Sequence, residues 1–262
     1  MTTAQLYPGV LPQRLEALGW KRAVYLRGTL QGEGRSVAIV GARAATVVAM
    51  DRAHALARHL AGAGVHVVSG GALGIDGAAH RGALATAGRG TTTAVLGSGL
   101  DVPYPARHAP LFEEILARGG ALVSLLPDGM HPRRGTFLQR NPLIAALADA
   151  VIVVEADVGS GSLSTAAAGK RLGRVVAAWP GSRGCDRLLA NGAALVESAE
   201  DAERALRGEP RLAAPPPPLD PIAARIASAL AAGAVGIDQI VRQTGLPVRD
   251  VLRVLPTLER LQ

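Results

Sequence analysis

Short apolar stretches alternate with longer segments of helical period along most of the chain. The apolar stretches are rich in valine, alanine and isoleucine and contain few charged side chains, which is typical of strands buried on both faces of a parallel sheet. They occupy residues 37–40, 65–69, 92–96, 121–125, 151–155 and 175–179. Because the helices between such strands cover both faces of the sheet, this alternation predicts a doubly wound α/β domain.

The segments between these strands have the pattern of amphipathic helices. In residues 46–63, for example, Ala53, Leu56 and Leu60 recur on one helical face. Glycine, which commonly ends helices, follows several of these segments shortly before the next strand. We predict helices at residues 46–63, 75–87, 110–118, 141–148 and 163–172.

A proline run at residues 215–218 divides the chain, because consecutive prolines continue neither a helix nor a sheet. After it, the apolar positions predict three short helices, and Thr244 to Pro247 supplies the turn of a helix-turn-helix pattern. Five arginines and four acidic residues leave this tail with a charge of only +1. A DNA-reading helix is normally more basic, so a protein contact or simple packing explains the tail at least as well.

These boundaries predict four parts. They are an N-terminal extension packing on the core at residues 1–34, a Rossmann-like domain at 35–208, a proline-rich linker at 209–219 and a small helical domain at 220–262.

The composition favours an anionic partner without identifying it. The 262 residues carry a net charge of +7 and only 3% aromatic side chains. A positive chain favours nucleic acid or an anionic metabolite, and the scarcity of rings argues against a long stacking platform for single strands. An arginine-rich, lysine-poor composition also arises in a GC-rich genome without selection for binding.

Several classes of protein are excluded. The single cysteine, Cys185, rules out an intramolecular disulfide framework and a cysteine-clustered zinc site. No stretch has the length and apolarity of a membrane span, and residues 1–15 lack the pattern of a secretory leader. The loop after residue 40 lacks the G-x-G-x-x-G pattern of dinucleotide-binding proteins. We expect a cytoplasmic protein with no membrane partner, no metal and no cofactor.

Loops at the carboxyl ends of the parallel strands are the places where doubly wound folds bind ligands. Arg43, in the first such loop, can contact a phosphate, while a solvated turn arginine is the simpler interpretation. Residues 69–76 are rich in glycine, which lets the backbone approach a ligand closely. Asp76 and His80 lie one helical turn apart, as an acid/base pair or, more simply, as a capping and packing pair.

Residues 131–141 form the densest positive segment, which we predict to be a loop before a helix. It contains Arg133, Arg134 and Arg140, and its Phe137 is either a ring for base stacking or a core residue.

A further loop follows the most apolar strand and opens a helix. Its residues Ser160, Gly161 and Ser162 form a phosphate cradle without the lysine of a P-loop, so nucleoside triphosphate hydrolysis is not indicated.

The motifs also occur in an order that carries a family resemblance. They are Val37 to Arg43, Ser69 to His80, Tyr104-Pro105, Arg140-Asn141, Ser160 to Leu163, Pro180-Gly181 and Asn191 to Ala193. Together they resemble the DNA-processing protein A (Smf) family over residues 6–206, with Ser69 to His80 as the specific part. The tail resembles that family's small winged-helix module, and we expect it to lack the wing.

The resemblance implies an extended Rossmann-like domain that is not an enzyme. It implies a homodimer that binds and protects incoming single-stranded DNA and loads a RecA-type recombinase in natural transformation and recombination. Carried over by motif, Arg43 would contact a phosphate, and Gly41, Ser69 and Gly70 would form the pocket edge with backbone donors. The site would be completed by the basic segment, with Phe137, Arg140 and Asn141.

The sequence departs from the family pattern beside these residues. Pro142 stands where a second arginine is usual, and Leu125 replaces a common glutamate.

An enzyme on the same sheet is the alternative, namely a nucleotide-cleaving phosphoribohydrolase of the lysine decarboxylase-like type. Those enzymes carry a glutamate after the phosphate-binding glycines. Residues 160–168 of this chain contain no carboxylate that would stabilise an oxocarbenium-like centre, and this argues against the alternative.

Overall fold

A computed structural model of the chain describes residues 2–30, 34–86, 91–213 and 220–259. The chain forms two compact units, Met1–Ala213 and Ala214–Gln262. Most of the predicted linker, residues 214–219, lies outside the described residues. No helix within the described ranges has the length and apolarity needed to cross a membrane.

The first unit is built on one mixed sheet. Its strands are β1 (Ala4–Leu6), β2 (Val24–Gly28), β3 (Ser36–Val40), β4 (His66–Ser69), β5 (Thr92–Leu96), β6 (Ala121–Ser124), β7 (Ala150–Val153), β8 (Val175–Ala178) and β9 (Ala194–Leu195). Their order is β1-β2-β6-β5-β4-β3-β7-β8-β9. Strands β3 to β9 pair in parallel, whereas β2 pairs antiparallel with both β1 and β6. The six predicted strands and the mostly parallel sheet are confirmed.

Helices cover both faces of this sheet, as predicted. They are α1 (Gln13–Ala17), α2 (Val47–Gly62), α3 (Ile75–Leu84), α4 (Ala109–Ala117), α5 (Arg134–Ala146), α6 (Gly161–Arg171), α7 (Arg183–Ala190) and α8 (Ala199–Leu206), with a short 3-10 helix at Ala106–His108. Helices α2, α3 and α8 pack on Val37, Ile39 and Ile152, while α5, α6 and α7 pack on the opposite face, which includes Val40 and Val153. Alternate residues of one strand thus enter two cores, which is why these strands are mostly apolar on both faces.

The predicted start of the helix at residue 141 is wrong, because α5 begins seven residues earlier at Arg134. The sequence favoured residue 141 because Pro142 suits a first helical turn and lacks the N–H that a helix interior uses. In the structure Thr136 supports an earlier start, since its Oγ1 accepts a hydrogen bond from the Arg133 backbone N–H at 3.1 Å. Arg134, Phe137, Arg140 and Asn141 therefore belong to a helix and not to a loop.

Residues before β3 extend the sheet. Strands β1 and β2 lengthen it beyond β6, and Leu15 of α1 is fully buried in the core. The apolar pattern did not predict these strands because they are only partly buried. Strand β2, for example, has the sequence Val-Tyr-Leu-Arg-Gly and is buried only at Val24.

The second unit consists of α9 (Pro221–Ala231), α10 (Ile237–Thr244) and α11 (Val248–Glu259). Ile226, Ile240 and Val251 from the three helices are fully buried together. Gly245 ends α10 in the left-handed conformation, with φ +65°, and so supplies the sharp turn of the helix-turn-helix pattern. The three predicted tail helices are confirmed.

Candidate nucleic-acid interface

A cavity of about 380 Å³ opens where the carboxyl ends of β3 and β7 lie side by side. The chain turns to opposite sides of the sheet from these two strands, and such a switch point is the usual ligand site of doubly wound folds. The cavity is lined by Val40, Gly41, Arg43, Ala72, Asp76, Phe137, Leu138, Arg140, Asn141, Ile144, Ser160, Gly161, Ser162 and Thr165.

The loop that carries Arg43 is fixed from the neighbouring strand. The Glu155 carboxylate accepts hydrogen bonds from the Thr46 backbone N–H at 3.0 Å and the Thr46 hydroxyl at 2.6 Å. The Glu155 carbonyl accepts a further bond from the Ala42 N–H at 2.8 Å. Arg43 therefore projects from a rigid turn between β3 and α2, although its own side chain is exposed.

The glycine-rich segment before α3 holds the same loop from the other side. Ile75 donates its backbone N–H to the Ala42 carbonyl at 3.2 Å. Gly74 has φ +72°, and a Cβ there would lie 2.2 Å from the Ala42 oxygen and 2.7 Å from the Arg43 oxygen. Only glycine allows the two loops to pack backbone against backbone.

Arg43 and the Phe137 ring line the outer part of the cavity, and the Tyr104 ring packs against Phe137. The Arg43 guanidinium carbon lies 4.6 Å from the centroid of the Phe137 ring, within the range of a cation–π interaction. The Tyr104 ring is 5.4 Å from the Phe137 ring, centroid to centroid. Phe137 also rests against Gly97 at the end of β5, where a Cβ would approach its ring to 2.7 Å. A positive charge and aromatic surface thus meet at one point.

Arg140 lies at the floor of the cavity and not at its mouth. It is only 5% exposed, donates from Nη1 to the Val95 carbonyl, and its Nη2 lies 3.9 Å from Oδ2 of Asp76. Burial lowers the pKa of the Arg140 guanidinium to about 10, so the group stays charged at neutral pH. Burial raises the pKa of the Asp76 carboxyl, and the charge of Arg140 opposes that shift. The pair fixes the floor of the cavity and does not project toward solvent.

Polar groups in the cavity lining join α5 directly to the first turn of α6. The Asn141 amide donates to the Gly161 carbonyl at 3.0 Å and to the Ser164 hydroxyl at 2.6 Å. The Ser160 side chain caps α6 by accepting from the Ser162 backbone N–H at 3.4 Å. The first turn of a helix also presents free N–H groups and a partial positive charge, which suit an anionic oxygen.

The structure brings most of the predicted site residues to this cavity, namely Gly41, Arg43, Phe137, Arg140, Asn141, Ser160, Gly161 and Ser162. Ser69 and Gly70 are buried behind its floor. Ser69 donates its hydroxyl to the Ile39 carbonyl at 2.6 Å, and the guanidinium of Arg140 occupies the space that a side chain on Gly70 would need. Arg133 is exposed outside the cavity lining, and the Arg134 side chain lies outside the described part of the structure.

His80 is buried in the core and bonds to a strand residue. Thr92 donates its hydroxyl to the Val67 carbonyl at 2.8 Å, so its oxygen accepts from His80 Nδ1, also at 2.8 Å. His80 is fully buried, its Nε2 has no partner among the described residues, and burial lowers its pKa to about 3. Asp76 pairs with Arg140 and not with His80, which favours packing over an acid/base role for Asp76 and His80.

Sequence reasoning gave no role to Glu155, and it placed Tyr104 only in a strand-end loop and in a family motif, without a contact; both residues support the site. Glu155 was detectable in principle, because a carboxylate at the carboxyl end of a buried strand needs a partner at the sheet edge. Nothing in the sequence indicated that Tyr104 packs on Phe137, because Tyr104 lies in the loop after β5 and Phe137 lies in α5.

Comparisons with known proteins point to one family. A family model described as DNA recombination-mediator protein A matches residues 3–207, and a model described as the DprA winged helix domain matches residues 210–259. A Mycobacterium tuberculosis relative (strain H37Rv), described as a DNA processing protein, is 46% identical over 239 residues. The match covers 86% of this chain, and the chain spans 61% of the length of that relative.

Two solved structures share the fold. DNA processing protein A from Helicobacter pylori, whose structure concerns its single-stranded DNA binding mode, is 30% identical with a TM-score of 0.70 and covers 80% of this chain and 98% of its own. DNA processing protein A from Streptococcus pneumoniae is 32% identical with a TM-score of 0.70 and covers 81% of this chain and 76% of its own.

Proposed function

The chain belongs to the DNA recombination-mediator protein A family, also called the DNA-processing protein A (Smf) family, and we propose that it binds single-stranded DNA at the carboxyl-edge cavity. In this role it protects incoming single strands and loads a RecA-type recombinase onto them in natural transformation and recombination. We propose further that it acts in the cytoplasm as a homodimer. The recombinase, the dimer and the compartment are supported by the family resemblance alone.

One observation carries the proposal of DNA binding. Arg43 lies over Phe137 at the mouth of a concave cavity, with the first turn of α6 beside it. A nucleotide offers the two groups that this arrangement suits: a phosphate for the guanidinium and helix N–H groups, and an aromatic base for the ring. The chain has few aromatic residues, so we expect most of the binding free energy to come from phosphate contacts.

The ring at the cavity favours a single strand over a duplex. In a duplex the bases are stacked and paired, and their aromatic faces are not available to Phe137 or Tyr104. A single strand can turn one base out toward a ring without that loss, which is why single-stranded binding proteins combine rings with a positive groove.

The first test compares a single strand with a duplex of the same sequence by fluorescence anisotropy over a range of salt concentrations. We expect tighter binding to the single strand, with log K falling against log salt by about 0.7 for each phosphate neutralised. Equal affinity for the two forms, or binding that is independent of salt, would contradict the proposal.

The second test removes the arginine at the mouth. Arg43→Ala should lower single-strand affinity and reduce the salt slope by about 0.7, with no effect on folding because the side chain is exposed. Arg171→Ala is the matched control, since Arg171 is an exposed arginine at the opposite end of α6. Loss of affinity in both variants alike would indicate only a general charge effect.

The enzyme alternative finds little support in the cavity. Among the described lining residues Asp76 carries the one carboxyl group, and it is buried against Arg140. We therefore propose a binding protein and not a phosphoribohydrolase. Incubating the protein with nucleoside monophosphates and measuring released base tests this directly: release in proportion to protein concentration would overturn the proposal.

A further inference from the structure

A second arginine lies over a ring at the same edge of the sheet. The Arg52 guanidinium carbon is 5.1 Å from the centroid of the Trp179 ring. Trp179 is the first residue after β8, and its backbone N–H bonds to the Val153 carbonyl at 2.9 Å. The tryptophan is therefore fixed at the carboxyl end of the sheet, as Phe137 is.

The position of Arg52 on α2 brings its side chain toward this edge. Helix α2 begins directly after the Arg43 loop, at the cap residue Thr46, and Arg52 lies in its second turn. Side chains in a helix lean toward its N-terminus. Trp179 follows β8, which is two strands away from β3, a separation of about 10 Å at the usual spacing of strands. The strand end that carries Arg43 and the strand end that carries Trp179 thus lie along one edge, about two strand spacings apart.

The charge of Arg52 is not neutralised by a neighbour. The guanidinium is exposed, and no carboxylate within the described residues lies at ion-pair distance from it. Two carboxylates at this edge already have backbone partners: Glu155 accepts from Thr46, and Asp186 accepts from the Gly181 N–H at 2.8 Å. Neither of these carboxylates forms an ion pair with Arg52, so the Arg52 guanidinium remains available to an anion.

Exposed apolar side chains stand beside Arg52. Val47 is 68% exposed and Val48 is 58% exposed in the first turn of α2, and Val48 lies one helical turn before Arg52 on the same face. Such valines suit the sugar or base of a nucleotide whose phosphate contacts Arg52.

We propose that Arg52 is a second phosphate contact for the bound single strand, and that Trp179 is the residue that positions it. The strand would run from the cavity mouth at Arg43, across Val48, to Arg52 at the end of β8. This inference rests on the proposed function and extends it by giving the path that the bound strand takes beyond the cavity.

The role given to Trp179 follows from the flexibility of arginine. A free arginine side chain loses considerable rotamer entropy when it binds a phosphate. A ring under the plane of the guanidinium restricts that freedom beforehand, while the N–H groups at the edge of the plane remain available for a phosphate.

Strand length separates this contact from the cavity. Binding of a thymidine dinucleotide and of a strand of about 20 nucleotides is measured for the full chain and its variants. We expect Arg52→Ala to weaken binding of the longer strand about three- to tenfold and to lower its salt slope by about 0.7, while leaving dinucleotide binding unchanged. Arg58→Ala, which removes an exposed arginine further along α2, is the matched control and should bind both strands as the wild type does.

The positioning role is tested by two substitutions of Trp179. Trp179→Leu keeps an apolar side chain and should reproduce the loss seen for Arg52→Ala, whereas Trp179→Phe keeps a ring and should restore most of the affinity. Combining Trp179→Leu with Arg52→Ala should add little further loss, because both changes act on one contact. Equal losses for the leucine and phenylalanine variants would refute positioning by the ring.

The outcomes distinguish this inference from the function on which it rests. If Arg43→Ala weakens binding and Arg52→Ala does not, the second contact is refuted and the cavity stands. If the wild type shows no preference for single strands, the proposed function fails and the second contact fails with it. If Arg52→Ala weakens dinucleotide binding as much as binding of the longer strand, Arg52 belongs to the cavity and the extended path is refuted.

Discussion

Gly74→Ala is a sharp test of how the fold positions Arg43. Gly74 has φ +72° and ψ −126°, a conformation that residues with a Cβ rarely adopt. A Cβ there would also lie 2.2 Å from the Ala42 carbonyl oxygen and 2.7 Å from that of Arg43. Both are backbone atoms, so no side-chain rotation relieves the contact and the Arg43 loop itself must move.

The expected cost has two parts. Holding alanine at this backbone conformation costs about 1–3 kcal/mol, and forcing a methyl group into a packed contact costs about 1–3 kcal/mol more. Gly64→Ala is the matched control, since Gly64 has φ +81° but nothing lies within 4 Å of its Cβ position. That variant should lose only the backbone part, about 1–2 kcal/mol.

Urea unfolding of the two variants gives the difference in stability, and anisotropy with a single strand gives the effect on the site. We expect Gly74→Ala to be the less stable variant and to bind more weakly while still folded, because the shift moves Arg43 away from Phe137. Gly64→Ala should bind as the wild type does. The argument is refuted if the two variants lose equal stability and Gly74→Ala keeps full affinity.

Two further predictions concern buried groups. Burial lowers the pKa of His80 from 6.5 to about 3, so the folded state binds a proton at this residue less readily than the unfolded state does. The folded state should therefore have its full stability above pH 6.5 and lose up to about 5 kcal/mol as the pH drops toward 3. His80→Asn should flatten this part of the profile of urea midpoint against pH, and an unchanged profile would contradict the buried, neutral state of His80. Burial also raises the pKa of the Cys185 thiol to about 11. This sole cysteine should therefore resist a thiol-specific reagent in the native protein and react once urea unfolds the chain. Rapid labelling of the native protein would contradict this prediction.

The central sheet could be predicted because each of its parallel strands is buried on both sides. The second half of β5 shows this well: Val95 enters one core while Ala94 and Leu96 enter the other, so all three residues are apolar. The edge strands β1 and β2 could not be found in the same way, since partly exposed positions such as Arg27 break the pattern.

The site was predictable in its location but not in its internal arrangement. Strand ends fix which loops meet at the sheet edge, and this brought Arg43, Phe137 and Ser160 together. The pattern could not show that Arg140 turns inward to Asp76, because that depends on the space left by Gly70. The pairing of Arg52 with Trp179 was equally hidden, because it joins two elements that are distant in the chain.

Mapping the path of a bound strand tests the central claim most directly. A single strand containing photoreactive 4-thiothymidine is cross-linked to the full chain, and the modified peptides are identified by mass spectrometry. We predict cross-links on the peptides that carry Tyr104 and Phe137, at the mouth of the cavity. Cross-links confined to the helices of residues 220–259, or to the amino-terminal edge of the sheet, would contradict the proposal that the carboxyl-edge cavity binds single-stranded DNA.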